Sequence, residues 1–526
     1  MIGKTELILI CLVAVALLAL VARKIRVPYP ILLTIGGVLL ALVPGLPSIQ
    51  LEPQLVFNLF LPPLLYPAAV YISWRDFRTN LRPILLMATV LVLLTMTASA
   101  AVFHCLVGLP LAVGFVFGAI ISPPDAVAAL AVTQSLRVPR KIIVILEGES
   151  LINDATSFIS FRFAVAAVMT GAFSLGDASL KFLFAATGGL CVGIAVGWLA
   201  TQVQKRLDDP PVQTMFSLLT PYLAYFCGEK LQVSGILAVV ITGIYYGWRA
   251  PRILNSRMRL LALPVWEMVG FILNGVLFIL IGLQLPQVIQ SLAPGSLFGL
   301  VKVAILVLLV ITLVRFAWIF GADYMARLSS RKHRRASRVP WQNTFLIAWT
   351  GLRGADSLAL ALAVPFLLPN GQSFPGRDVI LLLTSCVIFG TLLLQGLTLA
   401  PLARWLGVVD DHVTEREERL ARLKANEAAL ARLEELGSSD NVKSATVDRL
   451  RSEYADRIRQ LGIAGSDEES ISRLFSPDFE ALAREVLQTE RNTVIALRNE
   501  EAINDQAFRR IQRDIDLAEA RLQRPA

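Results

Sequence analysis

The sequence predicts an all-α polytopic membrane protein: about 13 transmembrane helices as two six-helix inverted repeats with interrupted crossing helices, then a cytoplasmic helical tail. Three observations carry that expectation. The 526-residue chain is 55% hydrophobic and only 17% charged, with a mean hydropathy of +0.63. That balance belongs to membrane chains rather than soluble globules. Apolar runs of spanning length recur up to about residue 405, and helix-breaking residues interrupt two of them at matched positions.

A helix needs roughly 20 apolar residues to cross a bilayer. On that ruler the candidate spans lie near 5–22, 30–45, 54–71, 83–107, 109–134, 142–170, 181–203, 212–228, 232–248, 263–284, 297–325, 342–366 and 378–404. The first lacks a basic leader and a small-residue cleavage site, so it reads as a retained helix rather than a signal peptide. Basic residues cluster after the odd-numbered spans: Arg23/Lys24/Arg26, Arg75/Arg78/Arg82, Arg137/Arg140/Lys141, Lys205/Arg206, Arg249/Arg252/Arg257/Arg259 and Arg327 through Arg338. Loops after even-numbered spans hold few, such as Lys181, Lys230 and Arg377. The positive-inside rule then places the N-terminus outside and the tail in the cytoplasm.

The net charge of +9 combines two opposite parts. Residues 406–526 carry 19 basic and 25 acidic side chains, leaving 30 basic and 15 acidic on the first 405. The positive excess therefore belongs to membrane loops and is no nucleic-acid footprint. Five scattered cysteines and three histidines form neither a disulfide framework nor a zinc site. The expected domains are 1–405, transmembrane, and 406–526, a tail of amphipathic or coiled-coil helices marked by Leu420, Leu423, Leu430 and Leu433, then Val447, Leu450, Tyr454, Ile458 and Leu461.

The fifth span contains Ser122-Pro123-Pro124-Asp125 and the twelfth contains Thr350-Gly351-Leu352-Arg353-Gly354-Ala355-Asp356-Ser357. Seven spans separate them, as two inverted six-helix repeats joined by the seventh require. Helices interrupted at corresponding places in two halves point to a transporter's binding site near the midplane.

The sixth span holds Glu147-Gly148-Glu149-Ser150-Leu151-Ile152-Asn153-Asp154 inside an otherwise apolar run. An ionised carboxylate at the membrane centre costs at least ~3 kcal/mol, so such residues usually line an ion or proton path. Ser150 and Asp154 are four apart and share a helix face, whereas Glu149 and Asp154 diverge by about 140°. Asp154 with Ser150 offers hard oxygens to one monovalent cation, and Asn153 and Glu149 brace the edge. Pro123 and Pro124 remove backbone donors and free carbonyls nearby, so the Pro124 carbonyl joins the candidate shell. Asp125 is either a ligand or a helix cap. Arg353 needs a buried anion, with Glu149 the first choice and Glu147 the second; Asp356 could instead satisfy it locally.

These residues resemble the signature of the sodium/proton exchangers, in the monovalent cation:proton antiporter superfamily. The likeness extends to Phe60-Leu61-Pro62-Pro63-Leu64-Leu65, to Trp266 through Asn274 leading into Ile281-Gly282-Leu283-Gln284, to Gly351-Leu352-Arg353-Gly354-Ala355 and to Gln395-Gly396-Leu397-Thr398. It covers about 5–405. It implies a 13-helix fold of inverted repeats whose core moves against a dimerisation domain. It further implies Asp154 as the exchanged carboxylate with Asn153 beside it, a shell of Ser150 and the backbone near Pro124, and a Glu149–Arg353 pair. One departure is Pro124-Asp125-Ala126 where many members carry Thr-Asp-Pro, which removes a hydroxyl from the shell. Members with Asn-Asp are generally electroneutral.

The function expected is exchange of Na+ or Li+ for H+ across the bacterial plasma membrane, serving pH homeostasis. A K+/H+ antiporter of the same fold is the alternative, and an acidic-lined cation channel a remote one. An intramembrane hydrolase with Ser150 as nucleophile lacks a base at suitable spacing. No cofactor is expected, Na+ (or Li+ or K+) and H+ being cargo. The partners expected are membrane lipid and a second copy of the chain.

Overall fold

The computed structural model describes residues 4–25, 29–43, 52–125, 138–171, 175–291, 296–329, 340–408, 413–437, 444–462 and 477–522. The end of the predicted fifth span (126–134) and several basic loop residues (Arg26, Arg137 and 331–338) lie outside them. The membrane part comprises α1 (Lys4–Ile25), α2 (Tyr29–Ala41), α3 (Pro53–Tyr71), α4 (Trp74–Thr79), α5 (Leu81–Val107), α6 (Leu111–Ile121), α7 (Arg140–Thr170) and α8 (Leu175–Gln204). It continues through α9 (Pro210–Lys230), α10 (Gly235–Ile253), α11 (Ser256–Ser291), α12 (Ser296–Ser329), α13 (Trp341–Trp349), α14 (Ala355–Leu362) and α15 (Arg377–Trp405). Among the described residues there is no strand beyond one isolated bridge, Leu367 to Ser373.

Seven of these helices are long and apolar enough to cross a membrane, and shorter apolar helices lie at Leu9–Ala22, Tyr29–Ala41 and Leu111–Ile121. Large apolar side chains such as Phe184, Trp198, Phe298 and Ile305 point outward. In water that would be an aggregation hazard; against lipid it is the expected surface.

The local sequence explains where the helices stop. Pro139 precedes α7, and Gly171, at φ +68°, closes it in the left-handed region. The predicted twelfth span is not one helix. Its chain leaves α13 at Thr350, runs extended through Gly354 and re-enters helix at Ala355. Helix α4 was not expected; Ser73 caps it by accepting from the Asp76 amide at 3.4 Å.

The helices pack as two groups, more closely within each than between them. In one, α2 lies on α11, and α10 on α3, α8 and α9; in the other, α6 lies on α5 and α7, and α12 on α5, α13 and α15. A Cβ at Gly37 or Gly282 would strike the backbone of the facing helix, so α2 and α11 meet backbone to backbone.

The tail folds as α16 (Val413–Gly437), α17 (Ser444–Gly462), α18 (Pro477–Asn499) and α19 (Asp505–Leu522). These amphipathic helices bury their apolar stripes on one another. Leu433 packs with Val447, Leu450 and Tyr454, while Ala425 packs with Leu487, Phe508 and Ile511. The bundle rests on the face that carries the basic loops. Arg259 of α11 donates to Asp516 at 2.7 Å, Arg78 pairs with Glu501 at 2.9 Å, and Arg509 donates to the Tyr71 carbonyl at 2.5 Å.

Candidate functional site

Two broken chains cross beside α7. Helix α6 ends at Ile121 because Pro123 and Pro124 cannot supply the next helical donors. The extended residues that follow meet the extended 350–354 segment, where the Asp125 amide donates to the Leu352 carbonyl at 2.7 Å. Carbonyls orphaned by the breaks need donors, and Arg353 supplies them. Its Nε donates to the Ile121 carbonyl at 2.9 Å and its Nη1 to the Gly351 carbonyl. Helix α7 is tied to the same crossing: Asn153 Nδ2 donates to the Pro124 carbonyl at 3.0 Å, and the Ser157 hydroxyl donates to Ala119. Asn153 thus ties α7 to the Pro124 break.

The buried ion pair differs from expectation. Glu149 does not bond to Arg353; its two carboxylate oxygens accept from Nη1 and Nη2 of Arg315 at 2.5 and 2.8 Å. Both partners are nearly inaccessible, 1% and 3% exposed. Arg315 lies on α12 and also donates to the Ile347 carbonyl at the end of α13. The fork thereby pins α7 to the broken twelfth span, while Arg353, inside the break, is consumed by backbone carbonyls instead. Glu147, the second choice for Arg353, lies two residues before Glu149 on α7, within electrostatic reach of Arg509 and Arg140.

Asp154 borders a small cavity where the two helix groups meet. Leu61 and Leu65 of α3 and Ile236 of α10 form one wall; Asp154 and Phe158 of α7, with Asp356 and Leu360 of α14, form the other. The space holds about one water-sized occupant. Asp154 is 8% exposed, and among the described residues no donor bonds to its carboxylate. Ser150, one turn earlier on the same helix face, is partly buried. The Asp125 carboxylate packs against Gly354, so closely that a Cβ there would overlap it. Gly354 is also the residue from which α14 starts. Asp125 therefore stands at the N-terminal, positive end of the short helix α14.

Sequence reasoning missed two residues. Arg315 is a cation deep within the apolar run 297–325, and an intramembrane charge deserves a functional hypothesis by default. Asp356 was weighed only as a local partner for Arg353, yet it borders the cavity with Asp154.

Crossed, interrupted helices with carboxylates at the crossing define a class: membrane ion transporters built on discontinuous helices. The chain belongs to the sodium/hydrogen exchanger family, whose transmembrane model matches residues 10–405. It is thus a member of the monovalent cation:proton antiporters, a family of multi-pass membrane transporters. It is 34% identical to an uncharacterized Na+/H+ exchanger of Mycobacterium tuberculosis, covering 100% of this chain and 98% of that one. A sodium, potassium, lithium and rubidium/H+ antiporter of Bacillus pumilus is also 34% identical, over 75% of this chain and 61% of its own. The fold is similar to that of the sodium proton antiporter MjNhaP1 of Methanocaldococcus jannaschii, with a TM-score of 0.63 and 19% identity over 76% of this chain and 98% of that chain.

Proposed function

We propose that the chain exchanges Na+ or Li+ for H+ one for one, by alternating access at Asp154. One observation carries the reading: a nearly buried carboxylate without a donor among the described residues borders a water-sized cavity between two helix groups. Left ionised and empty, such a group is costly in a membrane interior. A cation or a proton removes that cost equally, so either loaded form can cross and the empty form cannot. Each occupant brings one positive charge, and Asn153 beside Asp154 takes up no proton, so the cycle moves no net charge. Ser150, the Pro124 carbonyl and Asp125 complete the cation shell. The two-repeat architecture is supported by the crossing of the interrupted segments, and relative motion of the two helix groups exposes the site alternately. The tail's seat against the basic loops supports a cytoplasmic C-terminus in the plasma membrane, and the chain works as a homodimer.

A second reading, K+/H+ exchange, is favoured by the Bacillus relative, whose name includes potassium and rubidium. Proteoliposomes with an internal pH dye separate the two. Proton movement driven by Na+ or Li+, insensitive to membrane potential and absent in Asp154→Asn, is the expected result. A response to K+ alone selects the second reading. Normal exchange by folded Asp154→Asn would remove Asp154 from its role.

A further inference from the structure

Asp356 occupies the first turn of α14, opposite α3 and α10 across the cavity that Asp154 borders. No donor among the described residues bonds to its carboxylate. Its presence at the site adds a negative charge that a single-carboxylate exchanger does not need. The surroundings supply the balance. Asp356 stands in the first turn of α14, at the positive N-terminal end of that helix. Two further polar atoms beside these residues in sequence, Asn153 Oδ1 and Ser357 Oγ, are buried without a partner among the described residues. Asp154 itself, 8% exposed and bordering the cavity with no donor among the described residues, is the buried polar group that an occupant would satisfy.

We propose that Asp356 is a further carboxylate ligand of the transported cation, reaching it from α14 while Asp154 reaches it from α7 and Asp125 from the break after α6, and that Asp356 makes the site prefer Na+ and Li+ to K+. The inference rests on the proposed exchange function. Anionic oxygens gathered around one small space create a strong field. Small cations gain more from such a field than large ones, because Coulomb attraction rises as the approach distance falls. The cavity's water-sized room fits a dehydrated small cation. Asp356 keeps one charge throughout the cycle, beside the positive N-terminal end of α14. Asp154 alone trades cation for proton, and one positive charge still moves each way.

The test uses full-length protein in proteoliposomes. Asp356→Asn should raise the apparent KM for Na+ and Li+ at least about tenfold, with far less change in maximal rate, and bring the Na+/K+ preference close to unity. Asp356→Glu should restore much of the affinity. Unchanged KM and preference in Asp356→Asn would overturn the proposal. If that variant transports too slowly to assay, Tm in detergent with NaCl against choline chloride decides. Wild type should gain Tm with Na+ and Asp356→Asn should not; a retained gain overturns the ligand role. Stabilisation of wild type by Mg2+ or Ca2+ but not Na+ would also overturn it. Voltage-driven exchange in wild type that becomes voltage-insensitive in Asp356→Asn would make Asp356 a proton carrier, against the fixed charge proposed here. Loss of exchange in neither Asp154→Asn nor Asp356→Asn would instead bring down the underlying exchange reading.

Discussion

Two ion pairs, one buried among the membrane helices and one where the tail meets the membrane part, do different work. In the membrane interior, Glu149 and Arg315 form a two-pronged pair with 1% and 3% of each side chain exposed. At the tail interface, Arg78 and Glu501 meet at a similar 2.9 Å with 62% and 47% exposed. Distance does not separate the two; solvent does. Water screens the exposed pair and competes for each partner, so such contacts are worth about 0–1 kcal/mol. Nothing screens the buried pair, and losing one partner strands the other in an apolar interior.

That contrast predicts a steep order of effects. Arg315→Met should be the most damaging, about 3–5 kcal/mol, because it leaves Glu149 buried and uncompensated. Thermal unfolding in detergent reads this loss. Adding Glu149→Leu should recover much of it; no recovery would mean that Arg315 acts mainly through the Ile347 carbonyl.

An intermediate effect belongs inside the tail, where Glu490 is buried beside Tyr454. Burial raises its carboxyl pKa, and the charges of Arg457, Arg422 and Arg491 only partly oppose that. The folded tail therefore holds this proton more tightly than the unfolded chain does. The resulting stabilisation is present at low pH and is lost as pH rises through the folded pKa. Glu490→Gln should raise hydrogen-exchange protection of α18 at about pH 7, with the difference shrinking toward about pH 4. Equal protection at both pH values would show that the neighbouring arginines neutralise the cost.

Arg78→Ala should be the mildest, within about 0.5 kcal/mol. Limited proteolysis of the tail should proceed at the wild-type rate. Faster cutting would show that this exposed contact anchors the tail more firmly than the Arg259–Asp516 contact, in which Asp516 is 2% exposed.

Much of this molecule was readable in one dimension. Spanning length follows from consecutive apolar residues, because lipid cannot satisfy a bare backbone. The breaks followed from Pro123-Pro124 and from Gly351 and Gly354, whose effects are local. The polar run on α7 announced itself, since charge is rare where lipid is the solvent.

Partner choice was not readable. Periodicity tells which face a residue takes but not which helix lies opposite, and Glu149 finds an arginine 166 positions away. The nearer candidate by motif, Arg353, is drawn off by the Ile121 and Gly351 carbonyls, a demand that exists only once two broken helices cross. The cavity likewise belongs to no single segment: its walls come from α3, α7, α10 and α14, so Asp356 gains its place beside Asp154 only through packing. Sequence determined the helices, their breaks and the charge that must be satisfied. Tertiary structure decided which groups satisfy it, because buried polar atoms take the partners that packing brings within hydrogen-bond reach.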